Sequence, residues 1–419
     1  MRRLPSCLLI LSVGFTLHSA AVAQSASEFY RRGVEAYKAQ NFDAAIEAFD
    51  HVVNLEPKRA QAYSGRAIAK RGKGDLDGSL ADFAQAIELE PKDATLYTKR
   101  AAVRVTKGDP LGAIADYDQA LLLNPKSADT FLERGVVKAR RNDYEGALAD
   151  FSQAVSIDPT NPYTYGSRAL LLYKRKEFDA AISDYTELIK LKPNEPASYH
   201  DRGKAKAEKK DYAGAITDFD HAIALDPRNS AYYFARGSVD FDQRDWKTAI
   251  ADFGRAINAD PKNAAAYGNR GIAYSARMEF TPALADLNRA IALDPNFADA
   301  YYHRGTVRMA TGDLEAAMKD LSWTIGRNPN HADAYSARGT CRFGKEDYAG
   351  AIADYTKCIR LNPRDADYVR FRLVLILRRQ GLDETTAGLS PAVLKWPESW
   401  QKKVGLFLIG VTPESDFLK

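Results

Sequence analysis

An arginine recurs every 34 residues, from Arg32, Arg66 and Arg100 through Arg202 and Arg236 to Arg338, ten times without an insertion. Sixteen residues after nine of these ten stands an aspartate, from Asp82 through Asp218 and Asp252 to Asp354, with Ala48 the exception. A guanidinium and a carboxylate kept in step can pair with each other or hold a charged ligand. Because both signs repeat along one inner face, a structural ladder of partly buried ion pairs is the expectation. Such pairs fix register more than they add stability, since desolvation offsets much of the attraction. Spacing leaves open whether each pair closes within one repeat or between neighbours.

Residues suited to catalysis or metal binding are not grouped. The histidines are His18, His51, His200, His221, His303 and His331, and no two stand four apart on a helix. No cysteine pair has metal-ligand spacing, so no metal or cofactor is expected. There is no G-x-S-x-G elbow and no phosphate loop. The glycines of the run from Gly72 to Gly78 have the wrong spacing for a dinucleotide fingerprint and read as a turn. The formal charge of +4 is too small to imply a general affinity for nucleic acid.

The same period runs through the apolar residues. A proline closes each repeat, at Pro57, Pro91 and every 34 residues to Pro363. Counting the first repeat from Ala26, the fourth slot is always aromatic (Phe29, Tyr63 and so on), the eighth is Gly or Ala, and the twentieth is Ala except at Ser79. The twenty-fourth is large and apolar, as at Phe49, Tyr117 and Leu287. Small residues at two slots let antiparallel helices approach, and the large ones fill the space beside them. Slot sixteen, acidic or Asn from Asn41 to Asp347, suits the cap of a second helix. A fixed period of this length means an all-α solenoid of ten helix-turn-helix repeats over residues 26–365.

The combined small, aromatic and proline slots resemble the tetratricopeptide repeat family. The resemblance implies a right-handed superhelix whose first helices line a concave groove, and it implies no particular ligand. Groove slots here carry the candidates Tyr37, Arg71, Arg140, Tyr173 and Lys174, then His200, Lys204, Phe241, Tyr302 and Met309. Chaperone-binding members carry Asn at slot nine, where this chain has Val34, Ile68 and Lys204 among others, which disfavours a chaperone-tail clamp. Basic residues crowd the ends of the first helices in repeats two to six; about half are accounted for as cations at helix C-termini. The excess points to acidic, extended protein segments as partners, with an anionic envelope polymer or glycan as the alternative.

Both ends differ from the array. Arg2 and Arg3, the apolar run Leu8 to Leu17 and Ala21-Val22-Ala23 read as a signal peptide over residues 1–23. An uncleaved anchor is the rival reading; after cleavage no membrane span is expected. Only Cys341 and Cys358 then remain, both in small-residue slots, so an exported bacterial protein, periplasmic or secreted, is the expectation. After Pro363 a capping helix over 366–380 is expected, because the last repeat would otherwise expose its apolar face. The tail 381–419, with Trp396, Pro397, Trp400, Thr412 and Pro413, resembles that of some bacterial envelope members of the family, and reads as a hydrophobic lid or a docking site. Trp323 stands in a slot that is otherwise polar, either covered by the chain or offered to a partner. These readings give a non-catalytic interaction scaffold. The exported chain is expected to begin at Gln24; intact-mass measurement finding residues 1–23 still attached would reject the cleaved leader.

Overall fold

A computed structural model describes residues 25–363 and 367–381, and among them every regular element is an α-helix. The chain divides into two compact bodies, Met1–Lys209 and Lys210–Lys419. The leader, Trp396 and Trp400 lie outside the described residues. Within each body the repeats are antiparallel helix pairs: in the fourth, for example, Ala128–Arg140 is followed by Tyr144–Ile157.

Packing explains the slot pattern. The slot-twenty-four side chain lies flat on the eighth slot, so a Cβ added at Gly135 would come within 2.7 Å of the Phe151 ring, and one at Gly339 within 2.8 Å of Tyr355. Phe83, Phe151, Phe253 and Leu287 are fully buried there, each worth about 1.5–3 kcal/mol. At slot twenty the exception is resolved by a hydrogen bond, since Ser79 Oγ donates to the Ala67 carbonyl at 2.7 Å. Tyrosines at slot four reach back to the closing turn, as when Tyr63 and Tyr97 donate to the Pro57 and Pro91 carbonyls.

The turn between the helices has one backbone shape throughout. Its slot-fifteen residue has positive φ in all ten repeats, from Gln40 and Gly74 to Met278 and Glu346. Glycine adopts this freely, whereas other L-residues do so at a cost of about 1 kcal/mol. The next residue caps the second helix: Asn41, Asp75, Asp143 and Asp347 accept from the backbone N–H three residues on. Glu177 and Glu279 make no such bond and pair with Arg175 and Arg277.

The charge ladder closes within repeats and also across them. Arg134 donates Nε and Nη2 to Asp150 at 2.9 and 2.6 Å, and its Nη1 to Asp118 of the preceding repeat at 2.6 Å. Arg66 does the same to Asp82 and Asp50, and Arg304 to Asp320 and Asn288. Arg236 grips Asp252 and reaches Asp220. Arg202 and Asp218 belong to different bodies; within its own, Arg202 donates Nη1 to Thr186 Oγ1 at 3.1 Å. Each guanidinium also lies over the slot-four ring, at 5.5 Å for Arg66 on Tyr63 and 5.2 Å for Arg304 on Tyr301. In the first repeat, where Ala48 replaces the aspartate, Arg32 turns to Glu28 of its own helix.

A last helix, Asp367–Arg379, lays Phe371, Val374 and Ile376 on Tyr355 and Cys358 of the tenth repeat. Cys341 and Cys358 are free and buried, and burial pushes the Cys341 thiol up to about 11. Trp323 is half-buried, stacked on Tyr301 at 3.8 Å with the Arg327 guanidinium 5.2 Å from its ring.

The Arg270–Asp286 pair is the cleanest place to measure the ladder, because Arg270 makes both its bonds, at 2.7 and 2.8 Å, to that carboxylate. Arg270→Leu is expected to cost about 3 kcal/mol in urea unfolding, and Arg270→Leu with Asp286→Leu about 1 kcal/mol or less, because the stranded buried charge is the costly state. Equal losses in the single and double variants would mean the pair is ordinary solvated charge.

Candidate binding groove

The ends of the first helices hold two kinds of cation. One kind is committed to the fold. Lys70, Arg104 and Lys138 give a third donor to the ladder aspartates Asp82, Asp116 and Asp150 at 2.8–2.9 Å. Lys73, Lys107, Arg175 and Lys209 each reach the preceding repeat, at Asp43, Asp77, Glu145 and Asp179. These exposed pairs contribute little energy, but they occupy their charges.

The other kind, which includes Arg71, Arg140, Arg141 and Lys174, is exposed and holds no carboxylate among the described residues; of these, Arg71, Arg140 and Lys174 line cavities. The first body brings them to two adjoining cavities along the first helices of repeats two to five. One, of about 500 Å³, is walled by Val105, Leu132, Tyr117 and Tyr163 and carries Arg71 and Arg140. The other, of about 420 Å³, is walled by Ala139, Phe151, Leu170 and Leu171 and carries Arg140 and Lys174. Val136, Ser167 and Arg140 belong to both.

The floor is apolar but not featureless. Tyr117 donates its hydroxyl to Glu133 at 2.6 Å, and burial together with that carboxylate pushes the phenol well above its ordinary value. Glu133 is the one acid among the lining residues of the two cavities, in the one that carries Arg71 and Arg140. Leu170 is 48% exposed and Tyr163 67%, so apolar area is offered at the rim. Small-residue and aromatic walls with a few converging charges are the usual makings of a binding pocket.

The other candidates are more scattered. Tyr37 packs its edge on Phe42, and Tyr173 lies between Phe178 and the Lys204 ammonium, 5.2 Å from its ring. His200 stands beside Asp201, with Nδ1 3.2 Å from the carboxylate. In the second body Phe241 is engaged by Trp246 and Phe253, and Tyr302 by His303 and His331, with burial raising the Tyr302 phenol to about 12. Met309 lines a separate cavity of about 470 Å³ with Phe343, Phe371 and Leu375. Arg71, Arg140 and Lys174 are thus brought together, while Phe241, Tyr302 and Met309 belong to another body. Tyr163 and Leu170 escaped the sequence reading, although they occupy the groove slots two and nine; slot alone does not tell which side chains stay uncovered.

The sequence pattern described as tetratricopeptide repeat matches residues 30–94, 98–162, 167–230 and 302–366, and a second, described as TPR repeat, matches 279–312. Tetratricopeptide repeat protein 36 of Xenopus tropicalis is 42% identical over 58 residues, 14% of this chain and 29% of its own length. The chain therefore spans less than a third of that relative. Among solved structures, a tetratricopeptide repeat protein of Parabacteroides merdae is 19% identical, with TM-score 0.43, over 60% of this chain and 99% of its own. The C-terminal part of a TPR repeat-containing protein of Cytophaga hutchinsonii is 18% identical, with TM-score 0.47, over 65% and 98%.

If the three cations serve a ligand and not the fold, replacing Arg71, Arg140 and Lys174 together by alanine will leave stability within about 0.5 kcal/mol. Urea unfolding of the triple variant checks this, and a loss of several kcal/mol would show them to be structural.

Proposed function

This chain belongs to the tetratricopeptide repeat family, and from that premise we propose that it is a non-catalytic scaffold holding acidic, extended protein segments along the first helices of repeats two to five. The family supports protein–protein interaction as the broad role. The observation that carries the finer reading is the sorting of charge: Lys70, Lys73, Arg104, Lys107 and Lys138 are occupied by carboxylates of the fold, and Arg71, Arg140 and Lys174 over the two cavities are not.

An extended segment repeats its side-chain direction every second residue, so apolar side chains can enter the cavities while carboxylates between them meet the cations. Guanidinium groups favour bidentate contact with carboxylate, and the apolar walls supply affinity that salt does not screen. A leader-like sequence over residues 1–23 supports a site of action in the cell envelope, outside the cytoplasm. An anionic glycan is the second reading; it uses the same cations but leaves the walls lined by Leu132, Leu170 and Leu171 without a purpose.

The test compares synthetic ten-residue peptides of alternating apolar and Asp/Glu residues with their Asn/Gln counterparts and with an anionic polysaccharide, by surface kinetics. Acidic peptides are expected to bind, more weakly as salt rises because the Debye length is about 8 Å at physiological ionic strength. Arg140→Glu with Lys174→Glu is expected to slow association about tenfold or more, and Leu170→Ala to speed dissociation. Equal binding of the amide peptides would overturn the charge reading, and binding of the polysaccharide alone would favour the second.

A further inference from the structure

Slot eleven of the first helix faces the ladder aspartate of its own repeat. It is Lys70, Arg104, Lys138, Lys206, Arg308 and Arg342 in six repeats; Lys70, Arg104, Lys138, Arg308 and Arg342 donate to the carboxylate at 2.8–2.9 Å. In the seventh repeat the residue is Asp240, a carboxyl where those six carry a cation and the remaining three carry Ala36, Leu172 and Tyr274. Asp240 is only 7% exposed, and its Oδ2 is buried without a hydrogen-bond partner. The ladder aspartate it faces, Asp252, is 0% exposed and is held by Arg236 and, from the same helix, by Arg255.

The surroundings give an ionised Asp240 little help. Asp252 and Asp245 of the repeat's second helix and cap, and Asp220 of the preceding second helix, all act on it with like charge, and Arg236 alone opposes them. Arg236 is already committed to Asp252 and Asp220. The first helix, Ser230–Asp242, also ends on Asp240 and Asp242 with no base in its last turn, whereas that of repeat two ends on Lys70, Arg71 and Lys73. Carboxylates at a helix C-terminus are unfavourable, and an unpaired buried carboxylate is worse.

We propose that Asp240 is a proton-operated latch: with a proton on its carboxyl the two helices of repeat seven pack closed, and loss of that proton to water loosens the end of the first helix. The step forms or breaks one O–H bond at Asp240, with water as the proton donor or acceptor. A protonated carboxyl is neutral in its apolar seat and can turn its O–H toward Asp252, supplying the donor that slot eleven gives elsewhere. Burial and the neighbouring carboxylates push Asp240 up from 3.8 to about 6. An acid raised in this way binds more protons folded than unfolded, so repeat seven loses stability as pH rises through about 6. The latch lies in the second body and does not depend on what the groove of the first body binds.

Hydrogen exchange on the full exported chain reads the latch, with amide rates normalised for the intrinsic effect of pH. In the wild type, protection at the end of the first helix of repeat seven is expected to fall about tenfold from pH 5 to pH 7.5, while repeats three and four change little. Asp240→Asn, neutral at both pH values, and Asp240→Lys, which restores the common slot-eleven cation, should each remove the dependence. A flat wild-type profile overturns the proposal, as does an Asp240→Asn or Asp240→Lys profile that keeps the wild-type slope. Should one variant not fold, the wild type and the other decide.

Discussion

The slot-seven guanidinium is the interaction on which the array depends. A guanidinium has five N–H donors in one plane and a face that attracts aromatic rings, and several ladder arginines use both at once. Arg134 spends two donors on Asp150 of its own second helix, one on Asp118 of the helix before, and its face on the Phe131 ring. Three helices are thereby fixed in rotation and height by one side chain. A leucine at that slot would bury as much area but would accept many rotations. The energetic return of such a pair is small once desolvation is counted, so its contribution is to register, and register is what a repeat array must copy ten times.

From that constraint follows the rest of the charge distribution. The buried aspartate draws in a second cation from slot eleven, as Lys138 does on Asp150, and exposed pairs such as Lys107 with Asp77 stitch several repeats to the one before. Basic residues that look interchangeable in the sequence are therefore of different kinds once folded. Arg71, Arg140 and Lys174 stand out because no carboxylate among the described residues holds them, and Asp240 because it stands where six repeats carry a cation.

Much of this was legible in the sequence because a period of 34 converts slot into environment. The close contact of slots eight and twenty-four, the caps at Asp75 and Asp143, and the terminal helix follow from small, acidic and apolar letters at fixed places. What stayed illegible concerns reach. Slot spacing shows that Arg66 and Asp82 share a face, but not that the free Nη1 extends to Asp50 of the neighbouring repeat. The polar-slot position of Trp323 did not disclose that slot twenty-six lies over the slot-four ring, as His51 also lies over Phe29. The groove candidates were chosen by slot alone, and slot does not show that Phe241 is taken up by Trp246 and Phe253 or that the chain divides near Lys209.

The free cations also bear on stability. Arg71 and Arg140 share one cavity and Arg140 and Lys174 the next, so three like charges stand along one wall with Glu133 as the acid among them. That repulsion is carried by the empty protein and relieved by any ligand that brings carboxylates. A ligand that binds only the folded state stabilises it by an amount set by its concentration relative to its Kd. In a solenoid, where stability is a sum of repeat and nearest-neighbour contributions, the gain stays close to the repeats that make the contact. Occupancy of the groove should therefore firm repeats two to five, while repeat seven answers to its own carboxyl pair. The same ladder that makes every repeat alike leaves room for single slots to be put to different uses, provided the arginine and its aspartate stay in place.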